Sequence, residues 1–348
     1  VVREALGVVA VITPWNFPTQ IPAWKIAPAL LWGNTVVWKP ASDIPAVSQA
    51  FIQAFHDAGV PAGVVNMVLA SGRVAQHLVD SPQVSGISFT GSVPVGEMIA
   101  QSATSRRVKV QLELGGHNAA IVMPDVDPFF AASQLTIGAM SGTGQKCTAT
   151  RRIITVGDIH DSFVAALVTE VEKLTVGDGA NPSTTIGPVI SASAQAQIES
   201  AVADAVSEGG VVIARAQVPK GPGFFVGPTV IEGTMEVRTY REEVFGPITT
   251  VMRARDLEEA IELANSTEFG LTASIFSTND ADILRATAGL TAGLIKINAP
   301  NTGSELHVPF GGLKASTFPA PREQNAESVA DFFTNTKSVY RRVAPRRA

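Results

Sequence analysis

Short apolar runs with strand character alternate with stretches of helical periodicity along this 348-residue chain, and that alternation restricts its fold more than any other feature. Thr35-Val-Val-Trp38 is an apolar run ended by Lys39-Pro40, after which Ser42 or Asp43 with Pro45 supplies a helix start. Ile44, Val47, Phe51 and Phe55 then recur at helical spacing until Gly59 stops the helix. The pattern repeats: Ser85-Gly-Ile-Ser-Phe89 precedes the turn at Thr90 to Pro94 and a helix, and 108–112 and 119–122 read as strands. Helices near 161–174, 256–265 and 279–287 alternate with strands near 248–252, 273–276 and 294–297. Such alternation predicts an α/β fold of parallel sheets covered by helices on both faces. A single core stops growing at about 250 to 300 residues, so the length predicts two domains.

Composition narrows the function classes. The chain is 45% hydrophobic and 16% charged with thirty glycines, enough for a large core and many tight turns. A net charge of -5 argues against nucleic acid as a partner, and the basic end from Tyr340 to Ala348 reads as a solvated tail. No apolar run has the length of a membrane span, and no signal peptide is visible. A single cysteine fits a reducing, cytoplasmic compartment. The chain opens on Val1-Val-Arg-Glu without a methionine, which suggests a piece of something longer.

That cysteine, Cys147, lies in Ser141-Gly-Thr-Gly-Gln-Lys-Cys-Thr-Ala-Thr150, a glycine-punctuated turn before the strand-like run 152–156. A sole thiol forms no internal disulfide and no cysteine-based metal site, which leaves an inert small hydrophobe or a nucleophile. Gly142 and Gly144 let backbone N–H groups turn toward a ligand, and Lys146 favours thiolate over thiol. Glu113, between leucines in Gln111-Leu-Glu-Leu-Gly-Gly116, is either a desolvated general base or an outward-facing strand residue. Asn16 is pinned by prolines in Thr13-Pro-Trp-Asn-Phe-Pro18, where its amide can donate to an oxyanion, although asparagine in a proline-rich turn is ordinary. In open α/β sheets ligands gather beyond the carboxyl ends of strands. Lys39 and Gly91-Ser92 occupy such places, yet Gly91 to Gly96 is not the Gly-x-Gly-x-x-Gly fingerprint. Glu243, before a turn in Arg241-Glu-Glu-Val-Phe-Gly-Pro247, reads on its own as a solvated acid.

Seven motifs together carry a resemblance. Pro14-Trp-Asn-Phe-Pro18, Gly33-Asn-Thr-Val-Val with Trp38-Lys-Pro40, Phe89-Thr-Gly-Ser92, Glu113-Leu-Gly-Gly116, Gly144-Gln-Lys-Cys-Thr148, Glu243-Val-Phe-Gly-Pro247 and Pro309-Phe-Gly-Gly-Leu-Lys314 occur in the order seen in the aldehyde dehydrogenase superfamily. The likeness runs from the first residues to about Tyr340. It implies a Rossmann-type dinucleotide domain over 1–115, N-terminally incomplete relative to the family, and an α/β catalytic domain over 116–315. A return to the first domain over 316–330 and an oligomerisation strand over 331–342 would follow, giving a homodimer or homotetramer.

The resemblance makes Cys147 the nucleophile, Asn16 with the Cys147 backbone N–H the oxyanion donors, and Glu113 the base that activates water. Lys25 and Glu323 match positions that relay protons to that carboxylate. Lys39 and Ser42 would meet the adenosine ribose, Gly91 and Ser92 the pyrophosphate, and Glu243 the nicotinamide ribose with Phe245 packed nearby. The cofactor is NADP or NAD: where many relatives carry Glu, this chain has Ser42, which donates to a 2′-phosphate instead of repelling it, unless it merely caps the following helix. The segments 144–150, 296–303, 307–312 and 321–325 are most similar to the 2,5-dioxovalerate (α-ketoglutaric semialdehyde) dehydrogenase branch, with succinate-semialdehyde dehydrogenases next. The implied substrate is a short aldehyde acid. Arg151, Arg152, Ser304 and His307 lie near these segments, and each reads more simply as a surface or strand residue. A cysteine hydrolase would also use Cys147, but the five histidines show no base-and-orienter arrangement. A non-catalytic fragment is the other competing class.

Overall fold

The structure is a computed structural model that describes residues 1–319 and 325–344. They form two compact units, one built from Val1–Glu113 with 306–309 and 325–344, the other from Leu114–Glu305 with 310–319.

In the first unit parallel strands run in the order Lys109–Glu113, Val84–Thr90, Val8–Ile12, Thr35–Lys39, Val65–Met67. The chain starts at Val8–Ile12, adds two strands on one side, then crosses to the other. At such a reversal the connecting loops diverge, opening room for a ligand beyond the carboxyl ends. The core is the apolar set the strands bury, with Val9, Val11, Val36 and Trp38 fully enclosed. The Trp38 indole N–H donates to Thr13 Oγ1 at 2.9 Å, and Phe51 packs edge-on at 5.5 Å.

Three elements depart from the sequence pattern. The helix Gln20–Leu31 carries Pro22 and Pro28, which hide it from pattern reading; Pro22 sits in the first turn, where its missing N–H leaves no helical bond unmade. The helix Pro45–Asp57 takes Ile44 as its N-cap residue, with no side-chain cap, so neither Ser42 nor Asp43 performs the capping expected. The strand expected from residue 331 begins only at Thr334. Val329–Phe333 is a short helix that buries both Phe332 and Phe333, which a strand alternating between two faces does not do. Thr334–Lys337 then pairs antiparallel with Val2–Ala5.

In the second unit the strand order is Leu294–Ile297, Thr272–Phe276, Asn118–Val122, Thr150–Val156, Ile248–Ala254, Thr229–Glu232, Val211–Arg215. All neighbours are parallel except the last pair, which corrects the expectation of parallel sheets alone. Val211–Arg215 is a half-exposed edge strand, the position where antiparallel pairing is common in such sheets. Strand alternation divides the core in two. Ala119, Ile121, Ile154 and Met252 pack on one side with the helices Ala192–Ser207 and Leu257–Asn265. Ala120, Val122, Ile153 and Val251 pack on the other with Pro128–Met140 and His160–Glu172.

Asn34 joins the beginning and end of the first unit. Its carbonyl oxygen accepts from Leu6 N at 2.8 Å and Gly7 N at 3.1 Å, while its amide donates to the carbonyls of Ala29 and Phe333, both at 3.0 Å. Replacing it strands buried backbone groups, each costing about 1–3 kcal/mol. Asn34→Ala is therefore expected to lower the free energy of unfolding by about 2–4 kcal/mol in urea titration; a loss below about 1 kcal/mol would contradict this role.

Candidate active site

Parallel strands of the first unit deliver polar residues to one edge. Asn16 lies in the loop after Val8–Ile12, Lys39 ends Thr35–Lys39, Gly91 and Ser92 follow Val84–Thr90, and Glu113 ends Lys109–Glu113. The Asn16 loop is anchored where Thr13 N–H donates to the Lys39 carbonyl at 3.2 Å. Ser92 is the N-cap residue of Val93–Arg106, whose first turn has neither a side-chain cap nor an acidic residue, so its amides and positive dipole end suit an anion. A Cβ on Gly91 would meet the Phe89 ring at 2.4 Å, so the backbone there takes only glycine without rearrangement. Lys39 is half-buried, and burial holds its ammonium below the ordinary lysine range against the opposing pull of Asp43. Ser42 is exposed, its hydroxyl donating to the Ala70 carbonyl at 3.5 Å. A lysine, a hydroxyl and a bare helix start at one edge fit a diphosphate and sugar hydroxyls.

Glu113 is 2% exposed, which resolves the two readings of the sequence in favour of desolvation. Lys25, on the helix Gln20–Leu31, is completely buried. Its ammonium donates to Ser88 Oγ at 2.9 Å and to the Phe89 carbonyl at 3.3 Å, and Ser88 Oγ donates to Gln111 Oε1 at 2.6 Å. Burial pushes the Lys25 pKa down to about 7, while the Glu113 carboxylate pulls it back up. An amine titrating near neutrality within the field of a carboxylate can exchange protons with it. Sequence reasoning passed over Ser88 and Gln111. The available signal was that Gln111 and Glu113 are two apart on one strand and share a face. Glu323 lies outside the described residues.

The thiol belongs to the second unit. Cys147 is half-buried and follows a tight turn, Ser141–Gly144, in which Gly142, Thr143 and Gly144 have left-handed φ of 61°, 55° and 61°. A Cβ on Gly144 would lie 2.1 Å from the Gly246 carbonyl oxygen. The Cys147 carbonyl accepts from Asn118 Nδ2 at 2.7 Å, the same nitrogen donates to the Ala149 carbonyl at 2.8 Å, and Asn118 Oδ1 accepts from Thr272 N at 3.0 Å. Gly116 touches the same carbonyl so closely that a Cβ would fall 2.4 Å from it. Cys147 precedes Thr150–Val156, and Glu243 and Phe245 precede its parallel neighbour Ile248–Ala254. The site residues of this unit therefore gather at the amino edge of the sheet. The carboxyl-edge rule describes the first unit only.

Arg151 and Arg152, expected as surface or strand residues, lie on the strand Thr150–Val156 and are buried there. Arg151, 2% exposed, donates to the carbonyls of Gly246 and Gly144, both at 2.5 Å, and of Lys146 at 3.4 Å. Arg152 is satisfied by the carbonyls of His117, Leu263 and Ala264 and lies over Tyr240 at 5.1 Å. Several carbonyls per guanidinium are what make burial tolerable, and the local sequence does not reveal them. Glu243 also departs from its solvated reading: Oε1 accepts the Gly116 N–H at 3.2 Å. Burial raises its pKa, opposed by Arg151 and that N–H. Phe245 lies 5.8 Å beneath the Arg151 guanidinium. Lys146 donates to Ser141 Oγ at 2.5 Å; its pKa is lowered to about 8 by burial and then by Arg151, with Cys147 opposing.

Comparison with known proteins gives concordant matches. The Aldehyde dehydrogenase family profile matches residues 1–339. The alpha-ketoglutaric semialdehyde dehydrogenase of Bacillus subtilis (strain 168) is 41% identical over 344 residues, covering 97% of this chain and 70% of that protein. The NADP+ succinate-semialdehyde dehydrogenase of Deinococcus radiodurans is 39% identical over 340 residues, covering 97% of this chain and 70% of that protein. The crystal structure of betaine aldehyde dehydrogenase from Staphylococcus aureus in complex with NAD+ superposes with a TM-score of 0.92 at 34% identity, covering 97% of this chain and 67% of that one.

Lys25 yields a pH prediction. Its folded pKa of about 7 is below the ordinary 10.5, so between those values the unfolded chain binds a proton that the folded chain does not. Stability therefore rises with pH across that window and the gain is absent below it. Lys25→Met should remove part of the rise in urea midpoint between about pH 7 and 10. An unchanged slope would show that the lysine is not buried as described.

Proposed function

The chain belongs to the aldehyde dehydrogenase family and is an NAD- or NADP-dependent oxidoreductase of aldehydes, and from that premise we propose that it oxidises a short semialdehyde acid through Cys147. The thiolate attacks the aldehyde carbon, forming a C–S bond and moving the carbonyl pair onto oxygen. The Asn16 amide and the Cys147 backbone N–H receive that oxyanion. A bound nicotinamide would supply the hydride acceptor, and loss of hydride would leave the carbon on sulfur as a thioester. Glu113 takes a proton from water, whose oxygen attacks the thioester carbon; the C–S bond breaks, the acid departs and the thiolate returns. Lys25 passes that proton onward, with Glu323 as the further relay group.

The observation that carries this reading is the setting of Cys147. A half-buried thiol, backbone fixed by Asn118, lies in the field of the cations Lys146 and Arg151. Opposite charge nearby favours the charged form of a group, here the thiolate that acts as nucleophile. For the cofactor, Lys39 and Ser42 would hold the adenosine ribose, Gly91 and Ser92 the pyrophosphate, and Glu243 with Phe245 the nicotinamide ribose. Because Ser42 is exposed and does not cap the helix after it, its hydroxyl supports use of NADP or of both cofactors. The substrate reading rests on kinship: 2,5-dioxovalerate is favoured by the Bacillus relative, and succinate semialdehyde is the second reading on the Deinococcus one. We extend the proposal to a homodimer or homotetramer, because Val2–Ala5 and Thr334–Lys337 form a two-stranded ribbon among the described residues that leaves edges for a second copy.

NAD(P)H absorbance with 2,5-dioxovalerate, succinate semialdehyde and a simple aliphatic aldehyde, each with NAD and NADP, tests the scheme. The highest kcat/KM is expected for 2,5-dioxovalerate with NADP, and Cys147→Ser should lower kcat by at least about a thousandfold. Cofactor reduction with none of the aldehydes, or an unchanged rate in Cys147→Ser, would refute it.

A further inference from the structure

Arg151 has so far entered only as one of two cations near the thiol, yet its guanidinium also joins two loops of the second unit. On one side it donates to the carbonyls of Gly144 and Lys146, in the turn that leads into Cys147. On the other it donates to the Gly246 carbonyl and lies over the Phe245 ring, both in the loop of Glu243. A lysine ammonium is a point charge without the planar fork needed to bridge carbonyls on both sides while stacking on a ring.

The charges around this guanidinium are few. Glu243 and Cys147 attract it, in that order, against a burial that lowers its pKa to about 10. Lys146 repels it and titrates at about 8. His117 is kept neutral, its pKa pushed well below the ordinary value by burial and then by Arg152, with Arg151 contributing. Arg152 is occupied by the carbonyls of His117, Leu263 and Ala264. Lys146, the cation that sequence places beside the thiol, thus loses its charge as pH rises past neutrality, whereas Arg151 keeps its own.

We propose that Arg151 is the positioning residue of the nucleophile: it fastens the Cys147 loop to the Glu243–Gly246 loop and supplies the fixed positive charge that favours the thiolate. The proposal rests on Cys147 being the nucleophile. It assigns Glu243 a second effect, because a carboxylate beside the guanidinium takes up part of the charge that would otherwise act on the thiol.

Cys147 is the only cysteine of the chain, so iodoacetamide alkylation of the folded protein across pH reports this thiol alone. Arg151→Gln keeps amide donors for the carbonyls and removes the charge. Its alkylation midpoint should move to higher pH, with a rate about tenfold lower near pH 7 and a plateau at alkaline pH within about twofold of the parent. An unmoved midpoint, or a rate reduced equally at every pH, would overturn the proposal, since a merely structural arginine alters access and not titration. If circular dichroism shows Arg151→Gln unfolded, Glu243→Gln decides: removing the competing carboxylate should move the midpoint to lower pH, and a midpoint that stays or rises overturns the proposal. Alkylation needs no aldehyde or cofactor, so a failure here is distinguishable from failure of the oxidation scheme, which NAD(P)H formation and Cys147→Ser report.

Discussion

The carbonyl of Cys147 is the fixed point of the second unit. One side-chain nitrogen, Asn118 Nδ2, holds it together with the carbonyl of Ala149, while Asn118 Oδ1 is committed to the backbone of Thr272. Three backbone groups, in the segments around 147–149 and at Thr272, are thereby tied to a single amide, which cannot serve them if either segment shifts by much more than a hydrogen-bond tolerance. The same constraint explains two glycines. Gly116 lies against the carbonyl and Gly144 against Gly246, at separations that admit no Cβ. A thiol on a turn would otherwise be one of the more mobile parts of a fold, and the nucleophile proposed for Cys147 would lose near-attack geometry with displacements of about 1 Å.

Each unit accepts buried charge among its candidate site residues. In the first unit a fully buried lysine stands within the field of a buried glutamate and donates to Ser88 Oγ and the Phe89 carbonyl, with Ser88 in turn donating to Gln111. In the second, Arg151 is buried within the field of the Glu243 carboxylate and the Cys147 thiol. Burial without partners would cost several kcal/mol per ion, so hydrogen bonds to carbonyls and hydroxyls decide whether such groups persist. The result is a lysine that titrates at about 7 and an arginine that stays charged, two properties suited to moving a proton and to holding a thiolate.

The architecture was legible because strand and helix periods alternate cleanly from Thr35 onward, and most later elements fall within a few residues of their expected places. What escaped was set by tertiary contacts. Pro28 hid a helix whose stability comes from packing Ile26 and Ala29 into the core. The helical turn at Phe332 and Phe333 is fixed by a core that sequence neighbours do not announce. Motifs named the residues of the candidate site; they did not announce the electrostatics around them. Lys146 is adjacent to Cys147 in sequence and was credited with the positive charge; that Arg151 is buried nearby, held by the carbonyls of Gly144 and Gly246 and attracted by Glu243, depends on contacts far along the chain. Glu243, read alone as a solvated acid, receives a backbone N–H from Gly116.

The central claim is that aldehyde carbon becomes acyl carbon on Cys147. Glu113→Gln, mixed with 2,5-dioxovalerate and NADP, quenched in acid and digested, should yield the Cys147 peptide carrying the mass of the corresponding acyl group, and only when the cofactor is present. Acyl mass on another residue, its absence from Cys147 under turnover, or the same adduct formed without cofactor would contradict the account.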